Sequence, residues 1–205
     1  MLQSRTWSLF IVVGLALAGA AGSLSAQETL RIRGTLERFD GPLLIVKSRD
    51  GTEFKVTVTD PPVYVALVRA SVADIRPGMY VGATGLPQAD GSQRAVEVHI
   101  FPEAMRDTGE GHRSSDLAPQ ATMTNASVEQ TVAGNDGHTL MMKYKDGEKN
   151  LVVTPQTVVV TYAAGDRGEL KPGTGIFISA ARKMPDGTLQ TLRINYGRDG
   201  LMPPM

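Results

Sequence analysis

The chain holds three histidines, His99, His112 and His138, the side chains best placed to move a proton or bind a metal near neutral pH. His112 lies in Gly109-Glu110-Gly111-His112-Arg113, with Asp116 four residues further on. The flanking glycines let the backbone come close to a ligand, so Gly109 to Arg113 is a candidate ligand-binding loop. Glu110, His112 and Asp116 offer carboxylate and imidazole to a metal ion, or a base and its orienting partner. The plainer reading is a solvated loop with His112 hydrogen-bonded to a nearby strand, because spacing on a loop fixes no geometry. His99 belongs to Glu97-x-His99. Strand alternation puts both on an outward face while Val96 and Val98 point inward, giving either two metal ligands or a surface ion pair. His138 and Met141 suggest imidazole and thioether for Cu(I), with Met202 and Met205 as further thioethers. Met142 shares the face of Leu140 and Tyr144 and reads as core filler. The candidate metal ligands are thus His112, Glu110, Asp116, His138 and Met141.

Other chemistries find no residues. There is no Cys, which removes disulfides, thiolate metal sites and thiol nucleophiles. No Gly-x-Ser-x-Gly, His-Glu-x-x-His or Gly-x-x-x-x-Gly-Lys occurs. With 21 basic and 21 acidic residues among 205, there is no electrostatic pull toward nucleic acid or anionic lipid. Hydrophobic residues at 41% can build a core, and aromatics at only 5% make it an aliphatic one.

The elements that must carry these residues are punctuated twice. Pro77-Gly78 recurs as Pro172-Gly173, Asp50-Gly51 as Asp146-Gly147 and Asp90-Gly91 as Asp186-Gly187, each 95 or 96 residues on. Three turn signals in register mark a tandem duplication. Between them, Leu30-Ile32-Gly34-Leu36 and Phe54-Val56-Val58 alternate with polar residues as half-buried strands. Asp60-Pro61-Pro62 reads as a strand end, Val63 to Ala70 as strand or helical turn, and Ser71 with Asp74, or Asp166 with Glu169, as a capping box. About five short antiparallel strands per copy suit a small OB-like barrel. The expected fold class is therefore all-β, two tandem OB-like barrels over residues 27–101 and 122–197. A Gly- and Pro-containing linker over 102–121 joins them, and a flexible tail over 198–205 follows. No acid–base set is duplicated: His99 falls opposite Asn195, and His138 opposite Pro42.

Residues 1–26 read as a secretory signal peptide. Arg5 supplies the positive start, Leu9 to Ala21 an apolar run shorter than the roughly 20 residues of a membrane span, and Ser23 to Ala26 the small residues of a cleavage site. Cleavage near Ala26 gives a periplasmic protein with no transmembrane segment.

Gly34-Thr35, Tyr80-Val81-Gly82 after the Pro-Gly corner, Ala95 to Phe101, Gly109 to Arg113 and Thr122 to Ala126 together form a pattern. The chain resembles, over its length after the leader, a proteobacterial family of exported proteins. That family is built from OB-like modules of a domain of unknown function and is often labelled "metal ABC transporter permease". The resemblance implies fold and export and no established activity. A permease needs several apolar spans, which this sequence lacks after its leader. The expected function is a non-enzymatic periplasmic binding or interaction module. It uses the groove between the barrels and the Gly109 to Arg113 loop, with no cofactor required by the sequence, and has a periplasmic protein or small ligand as partner, not nucleic acid. The alternatives are a periplasmic metal-binding accessory protein and a hydrolase using His112.

Overall fold

The computed structural model describes residues 28–134 and 137–204; the expected signal peptide, Gln27 and Met205 lie outside the described residues. The fold is all-β, twelve strands without an α-helix among the described residues. β1 (Thr29–Asp40), β2 (Leu43–Ser48) and β3 (Glu53–Arg69) form an antiparallel meander. Its second turn works as Asp-Gly-Thr should: Gly51 takes φ +89°, and Asp50 Oδ1 accepts the Thr52 N–H at 3.0 Å as well as the Ser48 hydroxyl. The Asp90 and Asp186 hairpins repeat the device with Ser92 and Thr188, whose N–H groups donate at 2.9 Å in both turns. The Ser71–Asp74 capping box forms, with both reciprocal bonds made. Its counterpart is half made: Asp166 accepts the Gly168 N–H, whereas Glu169 turns away to Arg198 at 2.7 Å.

The hairpin β11 (Gly175–Lys183) and β12 (Leu189–Gly197) completes the meander. β1 pairs antiparallel with β11, β11 with β12, and β12 runs parallel to β3, so the five strands close into a barrel. Ile32, Leu36, Leu44, Val46, Val56 and Ile178 fill it. The remaining strands are β4 (Tyr80–Pro87), β5 (Gln93–Ile100), β6 (Gly111–Ser114), β7 (Thr122–Gly134), β8 (Gly137–Tyr144), β9 (Gly147–Val153) and β10 (Val158–Ala164). Five of these repeat the pairing order β7-β8-β9-β5-β4 and back to β7, with the parallel β9–β5 contact confined to Gln93–Leu151 and Arg94–Val152. They surround a second aliphatic core that includes Val81, Val98, Leu140 and Met142. β10 ties the two parts together, parallel to β5 and antiparallel to β3.

The hydrogen bonds cross the boundary expected between residues 27–101 and 122–197. β1, β2 and β3 close with β11 and β12, and β7, β8 and β9 pair with β4 and β5. The cause is β3. It runs on through Asp60-Pro61-Pro62 for 17 residues, roughly 55 Å at the usual rise per residue. Its ladder to β12 jumps from Val58–Thr191 to Val63–Arg193, so the prolines sit where no backbone donor is required. Val63 to Arg69 is therefore strand. The chain leaves β3 beside the other set of strands, and Pro77-Gly78 docks there, the Gly78 N–H donating to Val128 O at 2.7 Å. Pro172-Gly173 docks reciprocally, the Gly173 N–H donating to Leu36 O at 2.8 Å.

Two further expectations change. Residues 102–121 are more than a linker: β6 adds to the edge of β7, and the Thr108 carbonyl accepts the Asn125 Nδ2–H at 2.9 Å. The tail is anchored through residue 203. Leu201 is buried against Leu67 and Val160, and the Arg198 N–H donates to Leu67 O at 3.0 Å.

Candidate functional site

β5 is covered on both faces. A bulge opposite Thr84 and Gly85 breaks its alternation, so Ala95 and Val98 both enter the core while Val96 is thrown outward. Glu97 and His99 then face the other way, but β1 and β11 of the barrel cover that face as well. The expected outward pair is instead interior: Glu97 is 0% and His99 1% exposed.

The register sets out what surrounds them. Across β7, β4 and β5, Asn125, Gly82 and His99 form one row, and Met123, Thr84 and Glu97 the next. Gly82 has no side chain, so the Asn125 amide and the Phe101 ring close over it in the row between Asn125 and His99. A Cβ at Gly82 would lie 2.7 Å from Asn125 Oδ1 and 2.8 Å from Phe101 Cε2. Beside these residues, between the strands and the barrel, lies a cavity of about 150 Å³, enough for several waters or a small molecule.

Each polar side chain of the floor is anchored at one atom. Thr84 Oγ1 donates to Glu97 Oε1 at 2.7 Å, His99 Nδ1 meets the Tyr162 hydroxyl at 3.1 Å, and Asn125 Nδ2 donates to Thr108 O. Burial holds the Tyr162 phenol well above its ordinary range, so it is a neutral hydroxyl. The other atom of each side chain has no hydrogen-bond partner: Glu97 Oε2, His99 Nε2 and Asn125 Oδ1 are all buried and unsatisfied. Glu97 Oε2 and His99 Nε2 approach to 3.2 Å, the distance of an ion pair, without the alignment of a hydrogen bond. A buried polar atom left unpaired costs about 1–3 kcal/mol, so these atoms call for partners in the cavity, water or a bound ligand, beyond the misaligned Glu97–His99 contact.

The mouth is basic. Arg33 reaches both carboxylate oxygens of Asp116, and Arg31 adds a third contact at 3.2 Å. Hydrogen bonding to Arg33 holds the Asp116 carboxyl below the usual range. Arg33 also lies over the Phe177 ring at 5.2 Å. Arg113 is the third arginine of the mouth, and donates to Gly109 O at 2.7 Å.

The structure scatters the candidate residues read from sequence. Arg113 and Asp116 reach this mouth. His112, one residue from Arg113 on β6, alternates to the opposite face, where Nδ1 meets Thr124 Oγ1 at 2.8 Å and the ring stacks on Tyr144. Burial, then the charge of Lys149, lowers its pKa. Glu110 turns away to accept the Lys145 N–H at 2.9 Å. Gly109 and Gly111 take positive φ, +57° and +120°, in the turn that leads into β6. His138 and Met141, three apart on regular β8, lie on opposite faces. Among the described residues no three His, Asp or Glu side chains gather as metal ligands. Sequence reasoning missed Gly82, Thr84, Asn125 and Tyr162. Their only signal is the spacing of Gly82 and Thr84, two apart on one strand face, as are Glu97 and His99.

The fold and the site define an all-β protein, with a closed five-stranded barrel and further strands, that holds a polar cavity where the two parts meet. Compared with family descriptions, with characterised proteins and with solved structures, the chain matches none.

Proposed function

We propose that this protein is a non-enzymatic binding module whose ligand site is the cavity between the barrel and the β4–β5–β7 face. The observation that carries the reading is the set of three buried, unpartnered polar atoms in one cavity wall, Glu97 Oε2, His99 Nε2 and Asn125 Oδ1. The size of the cavity fits a small polar molecule or an ion. The three arginines at its mouth favour ligands or co-ligands with an oxyanion. In this reading both sets of five strands are OB-like barrels with their last two strands exchanged. The apolar leader over residues 1–26 and the resemblance to exported OB-like families support a periplasmic address. The test is a thermal-shift panel of amino acids, small carboxylates, phosphate and divalent salts, run on the protein and on Gly82→Ala, whose added methyl would displace Asn125 and Phe101 in the cavity wall. A compound that raises the melting temperature of the first and not the second supports the site. Equal shifts for every compound in both proteins, or none in either, would end the reading.

A further inference from the structure

Resting on that cavity as the ligand site, the geometry points to a divalent-metal centre on its floor, with His99 Nε2, Glu97 Oε2 and Asn125 Oδ1 as protein ligands. Each of the three carries an outer contact that orients it and an inner atom left over. Tyr162 holds His99 Nδ1, Thr84 holds Glu97 Oε1, and the Thr108 carbonyl holds Asn125 Nδ2. This is the second-shell arrangement of metal ligands, in which the far atom of imidazole or carboxylate is bonded so that the near atom faces the ion. The tautomer with its proton on Nδ1, donated to Tyr162, leaves the Nε2 lone pair for a metal. The inner atoms are buried below contact with water and have no hydrogen-bond partner.

The spacing agrees. Ligand atoms about 2.0–2.2 Å from a tetrahedral ion stand roughly 3.3 Å apart, and Nε2 and Oε2 are 3.2 Å apart without hydrogen-bond alignment. Asn125 is the third ligand because it shares the row of Gly82 and His99 and its buried Oδ1, turned over Gly82, has no hydrogen-bond partner. One nitrogen and two oxygens suit a borderline transition cation such as Zn2+ or Co2+ in preference to Cu(I), which wants thioether. A single imidazole with a single carboxylate also explains why no cluster of three His, Asp or Glu side chains marks the place. Remaining coordination positions face the mouth, where Arg33 and Arg113 would pair with an oxyanion bound to the ion.

The experiment is titration of the purified, chelator-treated protein with Zn2+ by calorimetry and with Co2+ by visible absorption. The expected result is one equivalent bound, with the d–d bands of a four- or five-coordinate N/O site. His99→Ala and Glu97→Gln should abolish uptake. Thr84→Val and Tyr162→Phe, which keep every ligand, should weaken it about 10- to 100-fold, whereas His112→Ala and His138→Ala should leave it unchanged. If His99→Ala fails to fold, the two conservative variants and the Co2+ spectrum still decide. No uptake by the unaltered protein, or uptake indifferent to His99 and Glu97, overturns the proposal. An organic ligand that stabilises the protein and not Gly82→Ala, with no metal bound, would sink the metal centre and leave the cavity reading standing.

Discussion

Arg33 on β1 holds both carboxylate oxygens of Asp116, at 2.9 and 3.0 Å, across 83 residues of sequence. The bond fastens the segment after β6 to the wall of the barrel and sets one edge of the cavity mouth. Replacing Asp116 by Asn should free that segment. Amide exchange at residues 115–118 should rise while the melting temperature moves little, since a half-exposed pair contributes within about 1 kcal/mol. Because the Asp116 carboxyl titrates below its unfolded value, its contribution is present above the ordinary carboxylate range and is lost as pH falls through the folded value. Exchange protection of this segment in the unaltered protein should therefore decline at acid pH.

His112 titrates in the opposite sense. Its folded pKa is depressed, by burial first and by Lys149 second. The folded state therefore favours the neutral ring, and stability falls as pH drops through the unfolded histidine value toward the folded one. Chemical denaturation at pH 7.5 and 5.5 should show a smaller loss in His112→Gln than in the unaltered protein. An equal loss in both would mean that the pH dependence comes from elsewhere.

Leu36 is 1% exposed in the barrel core and lies where the Pro172-Gly173 corner docks. Leu36→Ala should cost about 2–5 kcal/mol, read as a lower denaturation midpoint with unchanged slope. Met142→Ala in the other core should fall in the same range.

The crossing of strands predicts a result that a sequential pair of barrels would not give. Residues 28–101 alone contain β1–β3 without β11 and β12, and should show no cooperative unfolding. Co-expressed fragments cut within residues 102–106 should assemble and co-purify. A folded, monomeric 28–101 fragment would contradict the pairing of β1 with β11.

Much of this architecture was legible at the level of turns. Asp50-Gly51, Asp90-Gly91, Ser71–Asp74 and both Pro-Gly corners do in the structure what their side chains dictate locally. What they leave open is which hairpin closes which meander, because the same turn signals recur in both halves of the chain and either choice satisfies them. That choice is made by β3 running past its prolines, a property of long-range pairing. The site was half legible. Glu97-x-His99 stood out, but alternation alone sent it to solvent, since neither the bulge at Val96 nor the second covering layer is written in a two-residue period. The His112 loop looked richer because its residues are adjacent in sequence, and a strand then sends alternate ones to opposite faces.

The exchange of strands has a consequence for the order in which the protein comes into being. β4, β5, β7, β8 and β9 are all available once residue 153 has emerged, so those strands can pair early. β1, β2 and β3, the first strands to emerge, wait for β11 and β12, the last. Ile32 finds Ile178 only when nearly the whole chain exists, and such distant pairings form slowly. Until then the opening meander shows unpaired edges, and it is the stretch most exposed to stray partners as the chain emerges.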